Sequence, residues 1–175
     1  MKMLLTTTLM MLSATSAYAG ECSAGHHKIT KDEILAAQKA WGDGIVAIGK
    51  AKDHKKAALE HINTLYAYDM GPVLFKPTKA SAVQFRDTKE EALSYFVSGK
   101  EPEDKGFALA PYTKVRFENH GMAIDCDTAL AQGNYYFTKT DGQEIKVEYS
   151  FGYVEDKDGH LKINLHHSSL PYTPE

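Results

Sequence analysis

A short segment near the C-terminus, residues 163–169, places an imidazole and a hydroxyl where they could bind and activate a small molecule. In a β-strand, side chains alternate between two faces, so residues two apart share a face. His167 and Ser169 therefore share the face that begins with Ile163 and Leu165. A face that changes from apolar to polar in this way is typical of a core strand that enters a polar pocket. We predict that His167 and Ser169 face such a pocket.

The same alternation predicts that His166 and Ser168 point away from the pocket, so that the adjacent imidazoles cannot easily share one metal ion. The eight histidines show no HxH or HExxH spacing and the two cysteines form no CxxC, so no metal-binding motif is present. No Asp or Glu is placed to orient His167, which argues against a serine hydrolase. A buried histidine that only completes a hydrogen bond is the simpler alternative, but Ser169 on the same face favours a site.

Three helices are predicted in the first part of the chain. Residues 30–33 form a capping box, in which the Thr side chain bonds the third helical N–H and the Glu side chain bonds back. Apolar residues at spacings of three and four then predict a helix to about Gly49. A second helix is predicted over residues 55–66. Residues 87–90 form another capping box, which opens a helix that ends before Gly99.

The rest of the chain is predicted to be β-structure, after a short strand at residues 73–75. The predicted strands cover residues 115–119, 122–127, 129–138, 143–154 and the C-terminal segment from residue 161. The order of helices followed by a meander of strands predicts an α+β domain, with N-terminal helices packed on a strongly curved antiparallel sheet. Such a sheet encloses a conical pocket, and its predicted walls are Tyr149, Phe151, Ile163 and Leu165.

The N-terminus predicts export. A basic start, an apolar run over residues 4–12 and the small-x-small site at residues 17–19 are typical of a secretory signal peptide. We therefore expect residues 1–19 to be removed, residues 20–175 to form a single domain, and the protein to be periplasmic or secreted, with no membrane attachment after processing. Cys22 and Cys126 remain in that domain, and their pairing is left open. The formal net charge of −3 without a basic cluster argues against a nucleic-acid partner.

Several motifs resemble the iota-class carbonic anhydrases. The similar segments are residues 73–78 (VLFKPT), 92–97 (ALSYFV), 115–119 (VRFEN), 133–137 (GNYYF) and 166–172 (HHSSLPY). The resemblance implies a fold similar to nuclear transport factor 2 and to the association domain of calcium/calmodulin-dependent kinase. It also implies reversible hydration of carbon dioxide to bicarbonate, and a homodimer.

The resemblance further implies a pocket lined by a threonine, a tyrosine, a histidine and a serine. By motif, these catalytic positions are Thr78, Tyr95, His167 and Ser169. The residues expected to contact the substrate are Thr78, Tyr95, Ser169, Tyr149, Phe151 and Leu165. Zinc or manganese is used by some described members and no metal by others. One inward imidazole is too few for a catalytic zinc, which takes three protein ligands, so we predict no metal cofactor.

Two alternatives from other functional classes stay open. A ketosteroid-isomerase-like enzyme of the same fold would need a carboxylate base in the pocket, and the inward positions assigned above carry none. A non-catalytic ligand-binding or dimerisation domain would fit the same elements.

Overall fold

The computed structural model describes residues 28–174, so the predicted signal peptide and Cys22 lie outside the described residues. The elements in chain order are α1 (Lys31–Lys50), α2 (His54–Leu65), β1 (Leu74–Lys76), α3 (Lys89–Val97), a 3-10 turn (Phe107–Leu109), β2 (Tyr112–Ile124), β3 (Thr128–Lys139), β4 (Glu144–Glu155) and β5 (Leu161–Ser169). Cys126 is disulfide-bonded. No helix of residues 28–174 is long and apolar enough to cross a membrane.

The predicted α+β class is confirmed, with one sheet that carries its helices on one face. The strand order is β1-β5-β4-β3-β2, and the sheet is open because β1 and β2 form its edges. Strands β2 to β5 pair antiparallel, whereas β1 pairs parallel with β5. The sheet is therefore mixed and not wholly antiparallel. This parallel contact matters for the site because it sets Phe75 beside His166.

Capping residues define the helix starts. Thr30 and Glu33 form the predicted capping box at α1. The box at α3 is formed by Thr88 and Glu91, one residue later than predicted, because Thr88 is the residue whose extended backbone precedes the first helical turn. Helix α1 then buries Trp41 against the sheet, together with the apolar residues on the same face of the helix, Ile34, Ile45 and Ile48.

Strand β2 is continuous, although a break after residue 119 was predicted. The register with β3 shifts between Asn119 and Gly121, so the strand bulges without ending. Gly133 lies opposite, where an added Cβ would stand 2.2 Å from the Glu118 carbonyl oxygen. The close approach of the two backbones at Gly133 lets β2 and β3 stay paired through the irregularity.

A second irregularity, in β5, overturns the predicted orientation of the C-terminal residues. Tyr153 of β4 pairs with Ile163, but the next residue, Gly152, pairs with Leu165. Asn164 is thus the extra residue of a β-bulge, which leaves an unpaired residue and shifts the alternation by one. Beyond the bulge the inward and outward positions are exchanged.

Candidate active site

The centre of the candidate site is the imidazole of His166, which points into the core from β5 and is 2% exposed. Its ring stacks on Phe75 with a centroid distance of 4.5 Å and meets Phe151 edge-on at 4.3 Å. Burial in this aromatic surround lowers the pKa of His166 well below its usual range, because a charged imidazolium would lose its hydration. His166 is therefore neutral at neutral pH.

Both nitrogens of this imidazole are engaged by hydroxyl groups. The Tyr66 hydroxyl lies 2.8 Å from Nδ1, and the Ser168 Oγ lies 2.9 Å from Nε2. Trp41 Nε1 donates to the Tyr66 hydroxyl at 2.9 Å. Ser168 in turn hydrogen-bonds the Tyr135 hydroxyl. A continuous buried chain of hydrogen bonds thus runs from α1, through the end of α2 and β5, to β3.

Thr78 and Tyr95 complete the polar cluster. Thr78 follows β1, and its side chain lies beside the hydroxyls of both Tyr95 and Tyr135. The backbone of Lys79 also lies beside the Tyr95 hydroxyl. The five residues Thr78, Tyr95, Tyr135, His166 and Ser168 therefore form one connected group, which we call the hydroxyl cluster.

Tyr95 connects the hydroxyl cluster to solvent. It lines a cavity of about 350 Å³ whose other walls include Lys79, Phe107 and Tyr112. The Tyr95 ring stacks on Phe107 at 5.4 Å, so its position is set by packing. Tyr95 is thus the member of the hydroxyl cluster that borders this cavity.

The loop that carries Thr78 is held in place by two acidic residues. The carboxylate of Glu103 accepts hydrogen bonds from the backbone N–H groups of Ser81 and Val83, at 2.9 and 2.8 Å, and these N–H groups lower its pKa to about 2. Asp104 pairs with the fully buried Arg86 at 2.8 Å. This anchoring fixes the chain between β1 and α3 and so fixes Thr78 beside Tyr95.

The hydroxyl cluster is electrically neutral. Desolvation raises the pKa of Tyr95 and of Tyr135 far above 10, because burial disfavours a phenolate. None of its five residues carries a carboxylate. The cluster can donate and accept hydrogen bonds, but it holds no fixed charge and no group that is ionised at neutral pH.

The structure places the sequence-predicted residues in two groups. Thr78 and Tyr95 lie in the hydroxyl cluster. Phe151 and Tyr149 face inward as predicted: Phe151 packs on His166, whereas the Tyr149 hydroxyl donates to Asn119 Oδ1 at 2.5 Å and its ring lies 5.3 Å from that of Tyr135.

His167, Ser169 and Leu165 were predicted to face inward, and this orientation is wrong. His167 is exposed, Ser169 donates to the surface carboxylate of Glu148 at 2.9 Å, and Leu165 borders a groove on the outer face of the sheet. The bulge at Asn164 is the cause, because it moves each of these residues to the opposite face.

Sequence reasoning also missed residues that the structure brings to the site. His166 and Ser168 were assigned to the wrong face, and Tyr135, Tyr66 and Trp41 were not considered. One signal was available: a glycine inside a strand often marks a bulge, and Gly152 interrupts the aromatic run of β4. No sequence signal joined Trp41 or Tyr66 to His166.

The donor set at the cluster does not fit a catalytic metal. It offers one imidazole and several neutral hydroxyls, whereas a catalytic zinc takes three ligands of the imidazole, thiolate or carboxylate type. Within residues 28–174, the group with metal-ligand spacing is Asp156, Asp158 and His160. These residues lie in the turn between β4 and β5, outside the hydroxyl cluster.

Helices on one face of an open, bulged sheet, with a polar site in the core, define a nuclear-transport-factor-2-like protein. A sequence profile of the metal-independent carbonic anhydrases matches residues 32–170. The chain belongs to that family. A metal-independent carbonic anhydrase of Nostoc sp. (strain PCC 7120) is 46% identical over 153 residues, which cover 82% of this chain and 75% of that protein.

Solved structures agree with this assignment. The crystal structure of an iota-carbonic anhydrase from a cyanobacterium, complexed with bicarbonate, is 41% identical and superposes with a TM-score of 0.82, covering 88% of this chain and 99% of that one. A structure described as a calcium/calmodulin-dependent protein kinase II association domain from Xanthomonas campestris is 22% identical with a TM-score of 0.57, over 79% and 86% of the two chains. The latter likeness shows the shared fold alone. The fold and family expected from the sequence are confirmed, and the family's metal independence agrees with the prediction of no metal cofactor.

Proposed function

We propose that this protein catalyses the reversible hydration of carbon dioxide at the hydroxyl cluster, without a metal ion. The observation that carries the proposal is the convergence of neutral hydroxyls on one neutral imidazole in a chain of the metal-independent carbonic anhydrase family. The bicarbonate complex of the similar cyanobacterial enzyme supports the same substrate for this chain.

Hydration of carbon dioxide can be assisted by hydrogen-bond donors without a fixed charge in the site. The oxygen of water forms a bond to the carbon of carbon dioxide, an electron pair of one C=O bond moves onto its oxygen, and the water loses a proton. The products are bicarbonate and one proton. Hydroxyl donors at the oxygen that gains charge stabilise the transition state more than the apolar substrate. In our proposal Tyr95, Tyr135 and Thr78 supply these donors.

Positioning must supply most of the rate enhancement. A catalytic zinc lowers the pKa of its bound water from 15.7 to about 7, and the hydroxyl cluster offers no comparable charge. The cluster instead holds the reactants in one orientation within a desolvated pocket. We therefore expect a turnover well below that of zinc carbonic anhydrases.

The isomerase alternative is disfavoured by the same geometry. A ketosteroid-isomerase-like reaction needs a carboxylate base near the substrate. Among the described residues that line the cavity with Tyr95, the buried carboxylate is Asp104. It is already paired with the guanidinium of Arg86, so it is not free to act on a substrate. A non-catalytic binding domain of this fold is distinguished by assay.

The decisive experiment is a stopped-flow hydration assay on protein stripped of metal, with residual metal measured in the same sample. We expect hydration above the uncatalysed rate, unchanged by added zinc or manganese. Loss of the activity on stripping, with recovery on adding either metal, would contradict the metal-free mechanism. Absence of activity in both forms would favour a binding domain.

We also propose a homodimer, formed through the sheet face that none of the helices within residues 28–174 covers. A row of residues without polar side chains crosses all five strands of this face in register: Leu74, Leu165, Gly152, Leu130 and Ala123. Leu74 is 65% and Leu130 is 56% exposed. A contiguous exposed apolar strip of this kind marks an interaction surface, and the family resemblance points to a second copy as its occupant.

The proposed dimer is tested by placing a charged side chain in the apolar row of the uncovered sheet face. Leu130→Glu should convert the dimer to a monomer in sedimentation velocity, while Leu59→Glu, at an exposed leucine of α2, should not. A dimer that survives Leu130→Glu would place the interface elsewhere.

Export of the mature domain, residues 20–175, to the periplasm or the medium is likewise proposed. It is supported by the basic start, the short apolar run and the small-x-small site of the first 19 residues. Mass spectrometry of the exported protein should find Gly20 as the N-terminal residue. Retention of Met1 on exported protein would contradict it.

A further inference from the structure

The buried chain of hydrogen bonds from Trp41 to Tyr135 can donate in one direction only, because the indole at its start is a donor and not an acceptor. We infer that Tyr66 is a positioning residue that holds His166 as its Nε2–H tautomer. Residue 41 offers the Tyr66 hydroxyl no acceptor, so that hydroxyl donates to His166, and Tyr135 then presents its O–H to the reaction site. The tautomer follows from the hydrogen-bond geometry alone. The role of Tyr135 as a donor to the substrate rests on the proposed function.

The argument begins at Trp41, because an indole N–H can donate a hydrogen bond but cannot accept one. Trp41 Nε1 donates to the Tyr66 oxygen at 2.9 Å. Tyr66 is buried, so its own proton needs an acceptor, and the acceptor it contacts among the described residues is His166 Nδ1 at 2.8 Å. An unpaired buried hydroxyl is costly. Tyr66 therefore donates to Nδ1, which must be unprotonated.

The proton of a neutral imidazole then lies on the other nitrogen. Nε2 faces Ser168 Oγ at 2.9 Å, whereas its distance to the Tyr135 oxygen is 3.4 Å. Nε2–H accordingly donates to Ser168. The buried Ser168 hydroxyl also needs an acceptor for its own proton. Because Nε2 already carries a proton, the acceptor among its described contacts is the Tyr135 oxygen.

Tyr135 is the last member of this hydrogen-bond chain, and its hydroxyl lies beside Thr78. Its oxygen accepts from Ser168, so its O–H is free to donate towards Thr78 and the reacting molecule. Hydrogen bonds in such a chain polarise one another, which strengthens Tyr135 as a donor. Reversing the chain would turn the Tyr135 oxygen into an acceptor from the site and would remove a donor from the developing negative charge.

The direction of these hydrogen bonds also shows that the released proton cannot leave the site along the chain from Tyr135 to Trp41. A proton passed inward along it would have to leave from the Trp41 indole, which is buried and does not give up its N–H in this pH range. The proton must leave on the other side of the cluster, where Tyr95 lines the open cavity. His166 therefore orders hydroxyls and does not carry protons to solvent.

The test is ¹⁵N NMR of histidine-labelled protein, which distinguishes protonated from unprotonated imidazole nitrogens, with the His166 signals assigned by their loss in His166→Gln. In the unmodified protein we expect protonated Nε2 and unprotonated Nδ1 at pH 7. Protonated Nδ1, or an imidazolium, would overturn the inference without any variant having to fold.

Three variants separate the roles. Tyr66→Phe removes the donor to Nδ1, so the His166 signals should move towards a mixture of tautomers and kcat should fall about five- to tenfold, the effect of one lost hydrogen bond. Trp41→Phe offers the Tyr66 hydroxyl no acceptor either, so Tyr66 should still donate to Nδ1 and the Nε2–H tautomer should persist.

Tyr153→Phe is the matched control. The Tyr153 hydroxyl is buried without a hydrogen-bond partner among the described residues, so its removal should change neither the His166 signals nor kcat.

The outcomes decide the two claims separately. An unchanged tautomer and rate in Tyr66→Phe, or a switched tautomer in Trp41→Phe, would overturn the inference. The expected tautomer in a protein that does not hydrate carbon dioxide would leave the chain direction standing and would refute the proposed function.

Discussion

At the scale of single residues, the site depends on hydroxyl groups that stay protonated because they are buried. Tyr95 and Tyr135 are held neutral by desolvation, and His166 is held neutral by the same effect acting in the opposite direction on its pKa. Neutral groups of this kind can be packed among aromatic rings without the cost of a buried charge. A site built from neutral groups lacks the strong field of a buried charge, but close packing holds its hydrogen-bond donors in fixed positions.

The adjacent serines of β5 offer a matched test of the corrected orientation. Ser168→Ala interrupts the chain between His166 and Tyr135, so kcat should fall about tenfold or more. Ser169→Ala, one residue along, removes only a surface hydrogen bond to Glu148 and should leave kcat near that of the parent. Both are measured by stopped-flow hydration on protein of the same oligomeric state. A larger loss in Ser169→Ala would mean that the pocket lies on the other face of the sheet.

Tyr95→Phe tests the residue that stands at the opening. The substitution keeps the ring stacked on Phe107 and removes one oxygen, so the free energy of unfolding should change by about 1 kcal/mol or less. Losing one preorganised donor at a developing charge costs about 10²-fold in rate, and we expect a loss of that order in kcat/KM. Urea unfolding and the hydration assay measure the two quantities, and parental activity would remove Tyr95 from the mechanism.

At the scale of secondary-structure elements, one bulge determines which residues of β5 enter the core. Gly152 of β4 makes room for it: a Cβ added there would lie 2.8 Å from both Asn164 Oδ1 and Leu165 Cβ. Real Cβ atoms do not tolerate such contacts, so a side chain at this position would push the bulge away. The glycine and the bulge thus form one unit, which sets the direction of the His166 side chain.

Gly152→Ala should therefore destabilise the protein and disturb the site together. Overpacking of a closely packed position costs about 1–3 kcal/mol, and displacement of β5 should lower kcat as well. Gly121→Ala is the control within the same sheet, because nothing lies within 4 Å of an added Cβ there. Urea unfolding of the two variants should show the difference, and equal stability would show that β5 does not need the glycine.

At the scale of the whole molecule, the core contains two histidines that fold in the neutral form. Burial lowers the pKa of His61 to about 4 and that of His166 well below 6.5. Below pH 6.5 the unfolded chain binds protons at these residues and the folded chain does not, so the folded state loses relative stability as the pH falls. The site and the stability of the fold are thus linked by the same burial.

This linkage predicts a loss of stability on mild acidification. Between pH 7 and pH 5 the free energy of unfolding should fall by about 2 kcal/mol from His61 alone, with His166 adding to the fall. Urea titrations at several pH values measure it. A variant of the exposed His167, such as His167→Ala, should keep the same slope. A free energy of unfolding that stays constant over this range would contradict the buried neutral state of both residues.

The amino-acid sequence by itself determined the parts of this protein that depend on neighbours in the chain. The capping residues at Thr30 and the periodic apolar positions of α1 define a helix through contacts three and four residues apart. The order of helices and strands then defines an α+β fold. The motifs around Thr78, Tyr95 and the last strand, which carry the family resemblance, indicated the family and two residues of the hydroxyl cluster.

Only the tertiary structure decided which side chains meet. Strand alternation put His167 in the pocket, but the register between β4 and β5 inserts Asn164 as an extra residue, and His166 enters instead. Trp41, Tyr66 and Tyr135 come from three distant segments and join His166 only when the helices close on the sheet. Local rules describe each strand as if it were regular, whereas a bulge is stabilised by the partner strand, here by the space that Gly152 leaves. The orientation of the site is therefore a property of strand pairing, which no single stretch of sequence contains.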